Sequence, residues 1–238
     1  GTLYASLLNP VTIGPSTSPY VKWNGSAWSC VGTGLTESGA CVAYDSRRSR
    51  LYAGGYNGAT IYLRYWNGTA WTVIYTGAGF SSGPNAVVYD SVNDLVYYGG
   101  GFNGTGGFTS NVLEYNGTTL RSLTPWPGTQ FVSDVSVDRR GILCAVQGYT
   151  DRHVYFWDGN GWVESSITTD VISSGSGSYG GSGTYDQYRD GFWINAGGGM
   201  MGGGSGREVA LLQTRGTART HYDFTITVSV NPPRVKAR

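Results

Sequence analysis

The sequence repeats itself, and the repeat constrains the fold more than any other feature. Lys22-Trp23-Asn24-Gly25-Ser26-Ala27-Trp28 returns as Tyr65-Trp66-Asn67-Gly68-Thr69-Ala70-Trp71. Looser copies are Tyr115-Asn116-Gly117 and Trp157-Asp158-Gly159-Asn160-Gly161-Trp162. Their first glycines, at 25, 68, 117 and 159, lie 43, 49 and 42 residues apart. A second motif runs upstream: Val42-Ala43-Tyr44-Asp45 recurs as Val87-Val88-Tyr89-Asp90 and Val135-Ser136-Val137-Asp138, with Tyr185-Asp186 as a fourth copy. A third follows it: Leu51-Tyr52-Ala53-Gly54-Gly55 recurs as Leu95-Val96-Tyr97-Tyr98-Gly99-Gly100, and residues 142–148 and 192–198 hold the same place.

Each unit reads as four strands. Strand one ends in Tyr-Asp, and strand two ends in Gly-Gly. A glycine-rich loop leads to strand three, and an Asn-Gly or Asp-Gly turn leads to strand four. Such dipeptides favour two-residue hairpin turns, because both central residues take positive φ. That register would set Arg64 opposite Trp71, close enough to stack. Four short strands in a period of about 40–50 residues describe a β-propeller blade. Second strands beginning at Leu3, Leu51, Leu95, Ile142 and Phe192 are 48, 44, 47 and 50 residues apart, so five blades are expected. The first lacks its own strand one. Residues 222–230 alternate as a strand should, and their pairing with residues 2–7 is expected to close the ring and remove an open edge. The fifth unit is the least regular, with its third strand expected at 208–214 and its fourth within 215–220. The expected organisation is one all-β, five-bladed propeller over residues 1–230, followed by an extended basic tail over 231–238.

The order of paired glycines, then an aromatic residue, then Trp resembles the kelch repeat. Gly54-Gly55, Gly99-Gly100 and Trp71 carry the likeness. The pattern departs at Gln147-Gly148 and at Leu120, which stands where the Trp belongs. The Trp-Asn-Gly style is also similar to repeats of phage tail, fibre and adhesin proteins, a likeness that implies a virion component.

Composition narrows the classes. Thirty-nine glycines without a Gly-X-Y period exclude collagen, and 14% aromatic residues argue against disorder. A net charge of +1 gives no general attraction to nucleic acid or membrane. No apolar run reaches the length of a spanning helix. No basic residue precedes Lys22, so the start reads as no secretory signal. Cys30, Cys41 and Cys144 are odd in number and lack metal-ligand spacing, so buried free thiols and assembly in a reducing cytoplasm are expected.

The chemistry-bearing residues read mostly as turn formers. Asn24, Asn67, Asn103 and Asn116 head glycosylation sequons, yet the repeat makes them turn residues. Asp45, Asp90, Asp138 and Asp186 precede short turns whose N–H groups a carboxylate caps. Glu37, Glu114, Glu164 and Glu208 form no pair of the kind glycoside hydrolysis needs. His153 and His221 are isolated, and Gly197 to Gly204 lacks the Lys-Ser/Thr of a phosphate loop. Trp28, Trp71 and Trp162 read as packing between blades. Trp23, Trp66, Tyr115 and Trp157 sit beside the hairpin turns, where an aromatic face can pack on the C–H face of a sugar, and are the expected glycan-binding residues. No catalytic residue, metal or cofactor is expected. The expected function is a non-enzymatic virion protein, presenting the propeller to a host glycan or receptor and to other virion proteins. A multivalent cellular or secreted lectin and a five-bladed glycosidase are the alternatives.

Overall fold

The structure, a computed structural model, describes residues 1–58, 60–78, 84–100, 112–123, 126–127, 132–147, 153–165, 182–188, 190–195, 209–215 and 223–227. Residues alternating between Val, Tyr, Leu or Thr and small partners form strands, and these assemble in chain order into five antiparallel sheets. The first holds β1 (Leu3–Ile13), β2 (Ser16–Trp23) and β3 (Trp28–Cys30). The second holds β4 (Ser38–Asp45), β5 (Arg50–Asn57), β6 (Thr60–Trp66) and β7 (Trp71–Ala78). The third holds β8 (Ala86–Asp90), β9 (Leu95–Gly99), β10 (Val112–Tyr115) and β11 (Leu120–Ser122). The fourth holds β12 (Val132–Val137), β13 (Leu143–Gln147), β14 (Val154–Trp157) and β15 (Trp162–Glu164). The fifth holds β16 (Ser182–Asp186), β17 (Gly191–Asn195), β18 (Val209–Arg215) and β19 (Asp223–Thr227).

The core lies between successive sheets. Tyr20 and Val31 of the first meet Leu51 and Ala53 of the second. Tyr52 and Leu63 of the second meet Val96 and Tyr98 of the third. Tyr97 and Val112 of the third meet Val135, Leu143 and Tyr155 of the fourth. Phe156 meets Phe192 of the fifth at 5.7 Å between ring centres. Burying each such side chain is worth about 1.5–3 kcal/mol, so the sheets are held by their faces as much as by their ladders. The leading strands β4, β8, β12 and β16 lie side by side, with β1 beside β4.

The paired glycines are explained by this packing. A Cβ on Gly54 would lie 2.2 Å from Pro84 Cγ, and one on Gly99 would lie 2.7 Å from Val135 Cγ1. Glycine stands at these two positions because the next sheet leaves no room for a side chain; β9 ends there, whereas β5 continues past the pair to Asn57.

Two expectations are corrected. Residues 223–227 do not pair with β1; β19 is the fourth strand of the fifth sheet, with Leu212 opposite Ile226. Alternation identifies a strand but not its partner, and a short connection favours the sequence neighbour. That also moves the fourth strand of this unit out of 215–220. The hairpin is likewise not a two-residue turn. Trp66 pairs with Trp71, and Arg64 with Val73, leaving the four-residue loop Asn67–Ala70. Asn67 Oδ1 accepts hydrogen bonds from Thr69 N, Thr69 Oγ1 and Ala70 N, each at 2.9 Å, so the side chain closes the longer loop itself. Gly68 follows at φ +101°, which a residue with a Cβ adopts only under strain. Asn24 and Asn116 build the same loop, and Asp158 a similar one. Arg64 therefore does not reach Trp71. It lies over the Tyr62 ring and pairs with Glu37 at 3.1 Å.

All three cysteines are free; Cys41 and Cys144 are buried, and Cys30 is half-buried. Burial pushes the Cys41 and Cys144 thiols well above the usual range. Asn103, Glu208, His221, the Gly197 to Gly204 run and the 231–238 tail lie outside the described residues.

Candidate functional site

The recurring aspartates organise one face of the molecule. Each ends a leading strand, and its Oδ1 accepts backbone N–H groups of the turn that follows. Asp45 takes Arg47 and Arg48, Asp90 takes Val92 and Asn93, Asp138 takes Arg140 and Ile142, and Asp186 takes Tyr188. Asp45, Asp90 and Asp138 are buried, so these carboxylates serve the turn. Ser49, Asp94 and Asp190 hold the left-handed position of these turns, at φ +53°, +61° and +51°, and Gly141 holds it in the fourth sheet at +80°.

From that position each turn reaches its neighbour. Arg48 of the second sheet pairs through both guanidinium nitrogens with Asp94 of the third, the Nη1–Oδ1 contact being 2.6 Å. Asn93 of the third donates to Gly141 O of the fourth at 3.2 Å. Arg139 of the fourth pairs with Asp190 of the fifth at 2.7 Å. Against the opposing effect of burial, Arg48 and the Tyr89 hydroxyl hold Asp94 below the usual carboxylate range, and the Tyr185 hydroxyl with Arg140 and Arg139 holds Asp190 there. The hairpin loops share this face, since Gly117 of the β10–β11 loop sits against the Arg48 guanidinium.

Side chains alternate across a strand, so the residue before each buried aspartate points the other way. In three of the four copies it is Tyr: Tyr44, Tyr89 and Tyr185. Tyr89 donates to Asp94 Oδ1 at 3.1 Å and Tyr185 to Asp190 Oδ1 at 2.7 Å. Burial and the adjacent carboxylate push both phenols up to about 12. These rings help to wall a cleft of about 600 Å³ shared by the third, fourth and fifth sheets. Asp138, Arg139, Asp186, Gln187 and Tyr188 complete its wall. Tyr188 is 89% exposed. Tyr44 lacks the carboxylate, because Ser49 stands in its place; it is 44% exposed and stacks on Tyr4 at 5.3 Å.

The residues expected to bind glycan are spread one to a sheet. Trp23 leans on Trp28 at 5.6 Å and Trp66 on Trp71 at 5.6 Å. Trp157 leans on Trp162 at 5.3 Å, and Tyr115 is buried with its hydroxyl donating to Gly117 O at 2.7 Å. Trp66 and Trp157 also pack against the inter-sheet core. The structure instead gathers Tyr89, Tyr185 and Tyr188, which the sequence reading passed over as parts of a strand signature. The signal was present in the alternation: beside a buried Asp, a recurrent Tyr must face outward from the turn core.

Solved structures place the architecture. A chain of the nidogen/laminin complex superposes with a TM-score of 0.57 at 12% identity, covering 89% of this chain and 73% of that one. The WD40 β-propeller domain of Doa1 superposes with a TM-score of 0.52 at 14% identity, covering 90% and 68%. The fold is propeller-like. PorZ, a surface component of the type-IX secretion system of Porphyromonas gingivalis, gives a TM-score of 0.55 at 15% identity; this chain covers 30% of its length. No family model matches the sequence, and no curated protein does. The likeness to propellers is therefore one of architecture, with no feature specific to the kelch class.

Proposed function

We propose that this chain is a non-catalytic recognition module that binds carbohydrate on its turn face, with the five sheets acting as five blades of one ring. The observation carrying the reading is the cleft walled by Tyr89, Tyr185 and Tyr188 with Asp138, Arg139, Asp186 and Gln187. Exposed aromatic rings pack on the C–H faces of a sugar. Carboxylate, amide and guanidinium groups around them suit the mixed donors and acceptors of its hydroxyls. Asp138 is committed to its turn and to Arg140, which favours binding over acid–base chemistry. A virion appendage, reading a host-surface glycan and attached to other virion proteins, is the setting we propose from the style of the repeats.

The test is a glycan-array screen of the purified chain beside Tyr188→Ala and Gln187→Ala. Tyr188 is exposed, so its removal leaves folding intact. Selective glycan binding, weakened about tenfold or more in Tyr188→Ala with an unchanged unfolding curve, supports the reading. Failure of the wild type to bind any glycan, or binding untouched in both variants, overturns it.

A further inference from the structure

Strand β7 ends the second sheet, with β6 on its inner side and no further strand in the sheet order. It runs for eight residues, whereas the outer strands β3, β11 and β15 run for three each. Its sequence, Trp-Thr-Val-Ile-Tyr-Thr-Gly-Ala, contains no charged residue and no proline. Sheets ordinarily guard such edges with Lys, Pro, short strands or bulges, because a row of unpaired N–H and C=O groups is a template for another chain, and of these β7 carries only a bulge. Val73 is 51% exposed and Tyr75 36% exposed along this edge. Ile74 is the extra residue of a bulge opposite Leu63 and Arg64. Ile74, with Tyr75, Leu63, Leu113 and Leu120, lines a mainly apolar cavity of about 360 Å³ between the second and third sheets. Among the described residues, a strand edge and an apolar hollow with nothing over them thus lie side by side.

We propose that β7 is an interface between two copies of this chain, paired antiparallel across a two-fold axis. A two-fold places like residues near one another, so a charged edge would repel itself. β7 brings no charge to that axis, and the chain's net charge of +1 opposes the approach of two copies only weakly. Two four-stranded sheets then become one of eight strands, and Tyr75 of each copy approaches the hollow of the other. Pairing over eight residues adds roughly eight backbone hydrogen bonds. The other long edge is less suited. Strand β1 exposes Leu3 and Leu8 but contains Pro10 and lies beside β4.

The experiment is the mass in solution by sedimentation and light scattering over about 1–100 µM. The wild type is compared with Val73→Lys, with Tyr75→Lys and with Val92→Lys, a control on an exposed turn of the third sheet. The expected result is a dimer for the wild type and for Val92→Lys, with monomers for Val73→Lys and Tyr75→Lys. Unchanged circular dichroism and unfolding curves show that the lysines act on association. A wild type that stays monomeric across the range overturns the proposal. So does a dimer that survives both edge lysines, or one that Val92→Lys dissolves as readily.

Discussion

The junction between the second and third sheets and the junction between the third and fourth use the same place in the repeat for different chemistry. At the first, Arg48 grips Asp94, which also takes the Tyr89 hydroxyl and lies 3.3 Å from Arg47. At the second, Asn93 bridges Asp90 and the Gly141 carbonyl, and no charge crosses between the sheets through that contact. Backbone geometry is shared: a buried Asp caps the turn, and a left-handed residue follows. The repeat conserves the shape of the turn and leaves its neighbour-facing side chain open. The comparison also accounts for the exposed Tyr44, since Ser49 stands where the third and fifth sheets have Asp94 and Asp190, and Tyr44 stacks on Tyr4 instead.

Removing the ionic junction should cost the most. Asp94→Ala removes a partner from Arg47, Arg48 and Tyr89, Arg48 keeping its pair with Asp45, and leaves Ala at φ +61°. A loss of about 2–3 kcal/mol is expected in urea unfolding, discounted for partial exposure to solvent. If the loss is under about 0.5 kcal/mol, the ion pair is ornamental and the comparison fails.

pH separates these carboxylates by sign. Asp94 and Asp190 sit below their ordinary value, so their contribution is complete above about 4 and is lost as pH falls through the folded-state pKa. Asp134, half-buried at the boundary of the fourth and fifth sheets, is pushed by desolvation from 3.8 to about 6. Its contribution is complete below about 4 and is lost as pH rises through about 6. Asp134→Asn keeps an acceptor for Gly183 N and should gain stability over the wild type across that window, on the order of 2 kcal/mol at neutral pH. Equal pH profiles for the two proteins would show that Asp134 titrates normally.

The neutral junction should prove weaker. Asn93→Ala is expected to cost about 1 kcal/mol by the same unfolding measurement, with little dependence on salt. A larger loss than for Asp94→Ala would reverse the ranking. The smallest effect is expected where a carboxylate is added. Ser49→Asp supplies the Tyr44 hydroxyl with the acceptor that Tyr89 and Tyr185 already have, and should stabilise by about 0.5 kcal/mol in urea unfolding. An unchanged unfolding midpoint would mean that the stack on Tyr4 holds Tyr44 out of reach.

Much of this fold was legible because each unit carries its own punctuation. Leu51 to Gly55 and Leu95 to Gly100 announce their strands, and Asp45, Asp90, Asp138 and Asp186 mark the turns they cap. Pairing was harder to read. Residues 223–227 alternate correctly for any antiparallel neighbour, and only the three-dimensional neighbourhood selects β18. The Asn-Gly dipeptide likewise signals a tight turn, but whether two or four residues are enclosed depends on the Asn67 side chain reaching Thr69 and Ala70. The candidate cleft was the least visible part, because Tyr89 comes from the third sheet and Tyr185 and Tyr188 from the fifth, and only Tyr188 is prominently exposed. The hairpin aromatics, prominent in the sequence by repetition, are partly spent on packing.

The asparagine loops carry a consequence for how the protein ages. An Asn followed by Gly is the pair most prone to spontaneous loss of the side-chain amide, through attack by the glycine nitrogen on the Asn carbonyl carbon. In Asn24, Asn67 and Asn116 that carbonyl is tied to the two residues beyond the glycine. Ring closure must first release those ties, so each loop decays no faster than it opens. The slow appearance of aspartate and isoaspartate at these three positions would then serve as a clock for the breathing of three separate sheets.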